Sequence, residues 1–514
     1  MPKIDLSKFE RKITMRNIRF EDINDIIELA KVCFPTMEPW EKGHLESQLE
    51  TFPEGQFCVE YDGKIIGSCS SLIIEFDEYD DKHTFDEICD DGYITNHDPQ
   101  GKNLYGIEVM VHPDYRRMKI GRRLYEARKR LAQKLNLESI IIGGRIPNYH
   151  NYAEEMRPKE YVEQVTQHNI YDPVLTFQLM NGFTVKRINS GYLTDDIASL
   201  EYATLMEWNN TDYMPAQKRP RRHYIRSVPV RITVIQYMLK KIDCFEDFAQ
   251  QCEYYVNVSS NYKADFAVFP EIFTIQLLSF LEETIPSQQV KRLAEFTEPF
   301  IKLFSSLAVN YNINIIGGSH FAEVDGSIYN VSYLFRRDGS IDRQTKLHIT
   351  PNEKKWWGIQ NGDEIKVFDT DCGKIAILIC YDIEFPELSR IVTDRGANII
   401  FTPFCTDDRQ GYLRVRYSAQ ARAVENQIYT VISGTVGNLT HVENMDVQFA
   451  QSAIFTPSDL AFPPDGIAGE CSINTETVIV GEVDLETLRR SRRNGTVTQL
   501  KDRRKDLYRI KVID

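Results

Sequence analysis

Cys380 ends an apolar run, Ile375-Ala-Ile-Leu-Ile-Cys380, and is followed directly by Tyr381 and Asp382. A thiol with an ordinary pKa of about 8.5 is mostly protonated at neutral pH, so a cysteine that attacks carbon needs a base or a nearby cation. Two other apolar stretches end in groups able to supply them: Phe266-Ala-Val-Phe-Pro-Glu271, and the segment that begins Lys346-Leu-His. Glu271 could take the thiol proton. Lys346 could hold thiolate or oxyanion charge, together with the backbone N–H of Tyr381. Such a set suits attack on an amide or nitrile carbon, loss of ammonia or an amine, and hydrolysis of the thioester left behind.

A lone cysteine closing an apolar strand is most often an inert buried thiol, so spacing and neighbours decide. Phe269-Pro-Glu271-Ile-Phe resembles the glutamate motif of the nitrilase superfamily, and Lys346-Leu-His-Ile-Thr-Pro-Asn-Glu353 resembles its lysine motif. Cys380-Tyr-Asp-Ile-Glu-Phe-Pro-Glu387 resembles its cysteine motif. The order is the family's, and Arg422-Ala-Val-Glu425-Asn426 and Ser452-Ala-Ile-Phe-Thr-Pro-Ser-Asp459 resemble later family segments. The resemblance spans roughly Val228 to Asp514. It implies a four-layer α-β-β-α sandwich, no cofactor and a homo-oligomer; ten cysteines with no Cys-x-x-Cys pair and no His-rich tract at zinc spacing suggest no metal site. It also implies Glu271 as general base, Lys346 as transition-state cation, Cys380 as nucleophile, Tyr381 as oxyanion donor and Glu353 as a substrate-positioning carboxylate, the weaker alternative for Glu353 being a solvated acid beside Lys354 and Lys355. Glu384 stands where the family often has Arg, which puts a conventional pocket in doubt. Trp356 and Trp357 are either pocket walls or packing. A papain-like enzyme would need a histidine, and neither His348 nor His441 stands in a motif of that kind.

In the N-terminal half, Ile107-Glu-Val109-Met-Val111-His-Pro-Asp-Tyr-Arg116-Arg117-Met-Lys119-Ile-Gly121-Arg122 reads as strand, basic turn and helix start. Free N–H groups and the helix dipole make such a turn a cradle for pyrophosphate, which an acyl-CoA carries. The stretch resembles the acetyl-CoA signature of GNAT acetyltransferases, with Arg116 first and Gly121 last. Asp172 to Phe183 resembles that family's late helix and its Gly-Phe exit. The resemblance implies a mixed sheet with helices, acetyl-CoA as cofactor, an amine acceptor, and Val109, Val111, Arg116, Arg117, Gly121 and Arg122 as cofactor-binding positions. Lys119 replaces the motif's middle glycine, and Gln178 replaces the tyrosine that many members use as general acid. Two readings stay open: an acetyltransferase, or an idle acyl-CoA sensor that regulates the hydrolase. Glu108 is a general base or a surface carboxylate.

The elements that must position these groups read as two α/β series. The first has strands at Ile13–Arg19, Gln56–Tyr61, Ile65–Phe76, Leu104–Val111 and Ser139–Gly143, with helices at Glu21–Val32 and Gly121–Leu135. The second opens with strand Val230–Tyr237, helix Phe245–Ser259 and strand Phe266–Phe269. We place a GNAT-like domain at 13–208, a basic linker at 209–227 and a hydrolase domain at 228–514, because Pro215, Pro220 and the basic run Lys218 to Arg226 read as an exposed joint. Glu75 to Asp91 holds nine Asp or Glu against one Lys. It is either a solvated, partly mobile loop or a lid that favours a cationic amine. A net charge of −14 disfavours nucleic acid as partner. No apolar run approaches the roughly 18 residues of a membrane span, and the N-terminus lacks a signal core, so a cytoplasmic location is expected.

Overall fold

A computed structural model describes residues 4–35, 37–79, 83–194, 196–215, 227–281, 285–440, 442, 445 and 447–512. Asp80 to Lys82, the basic run Lys218 to Arg226 and His441 lie outside these. The chain forms two compact units, one from Lys12–His223 and the other from Met1–Arg11 together with Tyr224–Asp514. The division falls inside 209–227. Strand Ala203–Asn209 runs one residue into that range, and Asn136 ties Met214 back to the first unit by two hydrogen bonds of 3.0 Å. Among the described residues no helix is long and apolar enough to cross a membrane.

The first unit is a mixed seven-stranded sheet in the spatial order Ile13–Asn17, Phe57–Tyr61, Lys64–Ile74, Asn103–Val111, Ser139–Arg145, Ala203–Asn209 and Thr184–Asn189. All neighbours are antiparallel except Asn103–Val111 with Ser139–Arg145. A parallel pair needs a crossover, supplied by helix Ile120–Lys134, whose buried Ile120, Leu124, Tyr125, Leu131 and Ala132 form one face. The parallel pairing covers only Asn103–Gly106 against Ser139–Ile142, and the strands pair with other neighbours beyond that point. Opposite, the register slips between Ser70 and Ser71. Within the acidic stretch, the described residues include a short helix, Phe85–Cys89. Thr84 and Glu87 cap it reciprocally, and its Ile88 and Cys89 are buried. Composition alone missed those two anchoring side chains.

In the second unit, alternate residues of strands Pro229–Leu239, Phe266–Val268 and Asn314–Ile316 enter different cores. Ile232, Val234, Phe266, Val268, Ile316 and Leu334 meet Ile375, Ile377, Ile399, Phe401 and Val431 across two sheets, with the Phe266 and Phe401 rings 5.0 Å apart. The intervening Ile235, Tyr237, Ala267, Phe269 and Ile315 face helices Phe245–Asn261 and Thr297–Tyr311 through Phe248, Tyr255, Phe300 and Phe304. Helices Pro386–Asp394 and Arg409–Glu425 cover the other sheet through Leu388, Val392, Val415 and Ala419. This is the α-β-β-α layering expected. The two sheets join at a corner, where Thr435–Gly437 pairs with Tyr237–Leu239. Residues 4–11, which the sequence left unassigned, belong to this unit. Ile4, Leu6 and Phe9 pack on its helix-facing core, Ser305 Oγ donates to Phe9 O at 2.7 Å, and Glu10 accepts from the Ile341 N–H at 3.2 Å.

Candidate active site

Glu271, Lys346 and Cys380 each follow the end of a strand: Phe266–Val268, Ile341–Thr345 and Gly373–Ile377. The backbone turns sharply at two of these exits. Ile272 has φ +42° and Cys380 φ +47°, values that side chains other than glycine rarely adopt. Behind Glu271, Gly318 at φ +56° lets the chain pass against the Pro270 carbonyl, where a Cβ would collide. Ser319 Oγ accepts the Ile272 N–H at 2.9 Å. Cys380 opens the 3-10 turn Cys380–Glu384, so its N–H and that of Tyr381 have no partner within the turn.

The three side chains and Glu353 converge. Lys346 Nζ lies 2.8 Å from Glu271 Oε1 and 2.7 Å from Glu353 Oε2, with all three buried. Asn330 Nδ2, from strand Ser327–Phe335, donates to Glu271 Oε1 at 2.9 Å and to Glu353 Oε1 at 3.1 Å. The Cys405 N–H donates to Glu271 Oε2 at 3.0 Å, and the Cys405 carbonyl lies 4.0 Å from Cys380 Sγ. Thr350 donates to Glu353 Oε2 through N–H and hydroxyl, at 3.0 and 2.9 Å. Glu353 is therefore a bound component of the cluster, not a solvated acid. Asn330 and the Cys405 peptide escaped sequence reading. The signal available was an asparagine inside an otherwise buried strand.

Electrostatics separate the two carboxylates. Burial raises the Glu271 carboxyl above its usual range, Glu353 adds to this, and Lys346 only partly offsets it. Burial also acts on Glu353, but the Lys346 ammonium and the Thr350 and Asn330 hydrogen bonds hold it below the usual range. Burial opposes the Lys346 charge, yet Glu271 and Glu353 outweigh it and keep its pKa well above the ordinary lysine value. Burial, then the Glu271 carboxylate, push the Cys380 thiol well up. The arrangement suits a resting thiol beside a carboxyl group that can exchange a proton, with one fixed ammonium between two acids.

These groups lie in a cavity of about 760 Å³, also lined by Trp356, Trp357, Tyr381, Glu384, Asp407 and Arg414. Trp357 both lines it and packs on Phe321, with ring centroids 5.2 Å apart. His348 is engaged elsewhere: its Nδ1 lies 3.0 Å from Asp382 Oδ1 and its ring stacks on Phe385 at 3.6 Å. That leaves a papain-like pairing through His348 without geometry.

In the first unit, Val109 and Val111 pair with Cys69 and Gly67 on one side only. The 3-10 turn Pro113–Met118 carries Arg116 and Arg117, and Lys119 at φ +54° turns the chain into helix Ile120–Lys134. Arg116 Nε donates to the Val111 carbonyl at 3.4 Å, and Arg122 Nε to Glu126 Oε1 at 2.8 Å. Gly121 serves packing, since a Cβ there would sit 2.8 Å from the Phe177 ring. Gln178 is buried over Gly144. Trp40 Nε1 donates to Glu108 Oε2 at 2.9 Å, while Glu108 Oε1 is buried with no hydrogen bond from the described residues. Burial lifts the Glu108 carboxyl to about 7 against the pull of Trp40 and Arg128, so it is no ordinary surface carboxylate.

A buried Cys, Glu and Lys at the strand ends of an α-β-β-α sandwich mark out the class of carbon-nitrogen hydrolases. The family model for carbon-nitrogen hydrolases matches residues 231–493, and that for the GNAT acetyltransferase family matches residues 23–153. The chain belongs to the carbon-nitrogen hydrolase family, with a GNAT acetyltransferase domain preceding the hydrolase domain. It is 70% identical over 508 residues to the probable hydrolase YhcX of Bacillus subtilis, covering 99% of both chains. Its first unit is similar to the uncharacterized N-acetyltransferase YkwB of Bacillus subtilis, at 41% identity over 216 residues, 41% of this chain and 95% of that protein. Its second is similar to omega-amidase NIT2 of Xenopus tropicalis, at 25% identity over 292 residues, 54% of this chain and 97% of that protein.

Proposed function

We propose that the second unit hydrolyses a small amide through a thioester on Cys380. The observation that carries this reading is the single Lys346 ammonium bridging Glu271 and Glu353 in the cavity that Cys380 lines. Glu271 accepts the thiol proton as sulfur bonds to the carbonyl carbon. The oxyanion forms against the Lys346 ammonium and the Tyr381 N–H. The C–N bond then breaks, and the nitrogen leaves with the proton that Glu271 returns. Water, deprotonated by Glu271, attacks the thioester and restores acid and thiol. A nitrile would enter by the same attack and give a thioimidate. Relatives named omega-amidase favour amides. Ammonia release from a panel of amides and nitriles, wild type against Cys380→Ala, tests the reading; equal release by both proteins overturns it.

For the first unit the reading is acetyl transfer from acetyl-CoA to an amine. The open edge of Ile107–Val111, the basic turn at Arg116 and Arg117 and the helix start at Gly121 and Arg122 fit an extended, anionic acyl-CoA. Acetyl-CoA would bring the activated acyl group. Glu108, buried with one oxygen that accepts no hydrogen bond from the described residues, would take the amine proton. Calorimetry with acetyl-CoA followed by acetyl transfer to small amines tests this. Binding without transfer supports the sensor instead, a reading that Gln178 in place of a tyrosine motivates, and absence of binding removes both. The domain limits 13–208 and 228–514 stand as part of this proposal, together with pairing into a homo-oligomer.

A further inference from the structure

The wall of the hydrolase cavity carries charges that the proposed reaction does not use. Glu384 closes the same 3-10 turn that Cys380 opens. Arg422, itself buried, fixes that end by donating to the Ile383 carbonyl at 3.1 Å and to the Glu384 carbonyl at 2.9 Å. The Glu384 carboxylate is therefore held by a clamped backbone, not carried on a free loop. Its surroundings leave it unsatisfied. Among the described residues no donor makes a hydrogen bond to it, and the nearest cation is Arg414 Nε at 3.8 Å. The side chain is only 20% exposed, whereas that of Arg414 is 64% exposed. Burial raises its carboxyl above the ordinary range, and Arg414, Lys346 and Arg422 counteract only in part.

A half-buried carboxylate that lacks donors is stabilised by any ligand that brings them. The two wall charges compete for the sign of that ligand. Arg414 stands in water, where its attraction for an anion is screened. Glu384 is set deeper, where a charge acts through less solvent. Asp407 adds a second carboxylate to the lining, exposed to water as Arg414 is, while the Trp356 ring already carries the Lys355 ammonium 4.7 Å from its centroid. The floor adds no net positive charge, since Lys346 is shared by Glu271 and Glu353.

We infer that the substrate is an amide bearing a second, protonated amine, and that Glu384 is the residue that selects it. The inference rests on the amide-hydrolase reading above. In chemical terms the ammonium donates to Glu384 while the amide carbon lies at Cys380. The reaction would then leave ammonia and an amine-bearing acid, and the enzyme would draw on whatever reaction makes primary amides of amino acids.

The test uses the full chain and three amides of matched length: 5-aminopentanamide, hexanamide and glutaramate, which carry a terminal ammonium, methyl and carboxylate. Ammonia release gives kcat/KM for each. Wild type should favour the ammonium amide over hexanamide by about ten- to a hundredfold, the range of a charge-assisted hydrogen bond, with glutaramate slowest. Glu384→Gln should bring the first ratio near parity, mainly through KM, and Glu384→Asp should restore part of it. If the substitutions unfold the protein, the wild-type ranking still decides. Hydrolysis of hexanamide without preference for the ammonium overturns the inference and leaves the hydrolase reading standing. A preference for glutaramate assigns the wall to Arg414 and also overturns it. Hydrolysis of none of the three, nor of any other amide or nitrile, removes the hydrolase reading and the inference with it.

Discussion

Lys346 and Glu353 are seven positions apart in the chain, yet their charged ends meet at 2.7 Å in the buried floor of the hydrolase cavity. The short turn between them folds back so that Thr350 donates twice to the same carboxylate. Glu353 thereby fixes the ammonium and also raises the Glu271 carboxyl through like charge. Glu353→Gln should remove that effect, lower the Glu271 pKa and weaken it as a base. The expected outcome is a fall in kcat of roughly a hundredfold, with the acid limb of the pH-rate profile moved to lower pH. An increase in KM at unchanged kcat would assign Glu353 to substrate binding alone.

Asn330 donates to both carboxylates of the cluster from the middle of strand Ser327–Phe335. Asn330→Ala leaves two buried acceptors each short of a donor, at a cost of about 1–3 kcal/mol in stability. It should also lower kcat by about tenfold or more, since Glu271 and Glu353 lose their common brace. Chemical denaturation and steady-state kinetics on the same variant check both. Full activity at lowered stability would make Asn330 purely structural.

Those two residues show what the sequence makes legible. Glu271, Lys346 and Cys380 follow apolar strands and sit in motifs, so residue type and chain order reveal them before any coordinates. Glu353 is visible for the same reason, through its spacing from Lys346. Asn330 lies inside a strand, where its inward direction depends on pairing with Phe321, a long-range register that no local pattern encodes. The Cys405 N–H is invisible because a backbone donor carries no residue type. Segment 4–11 was missed because Leu6 and Phe9 are isolated apolar residues among charges, and only the core they cover gives them meaning. The strands and helices read from periodicity lie within a few residues of those observed, but helix Lys42–Thr51, strands Thr184–Asn189 and Ala203–Asn209 and helix Thr297–Tyr311 were not read, and the two-sheet layering came with the resemblance and not from the pattern itself.

Glu108 ties stability to pH. Its folded pKa is raised to about 7 by burial, while in the unfolded chain it titrates near the ordinary glutamate value of about 4.3. A raised carboxyl favours the protonated fold, so wild-type stability falls as pH climbs from the unfolded pKa to the folded one. Glu108→Gln keeps the shape without the charge. Its melting temperature should match that of wild type near pH 4 and exceed it at pH 8, while acetyl transfer is lost. A constant difference across that range would mean that Glu108 is already satisfied.

Phe9 packs on the helix-facing core of the hydrolase unit although it precedes the acetyltransferase unit in the chain. Phe9→Ala should lower hydrolase-unit stability by about 1–3 kcal/mol, the scale of partly burying an aromatic side chain. Thermal loss of amidase activity checks this, with acetyl-CoA binding as the internal reference. Equal loss of both activities would mean that the segment supports the whole chain rather than one unit.

During the proposed turnover the acyl group of the substrate resides on the Cys380 sulfur. Intact-protein mass spectrometry of samples acid-quenched during hydrolysis of an amide, followed by peptide mapping, measures this directly. The Cys380 peptide should carry an added mass equal to the acyl group, absent from Cys380→Ala, which should lose at least about a thousandfold in rate. An unmodified Cys380 peptide together with undiminished hydrolysis by Cys380→Ala would contradict it.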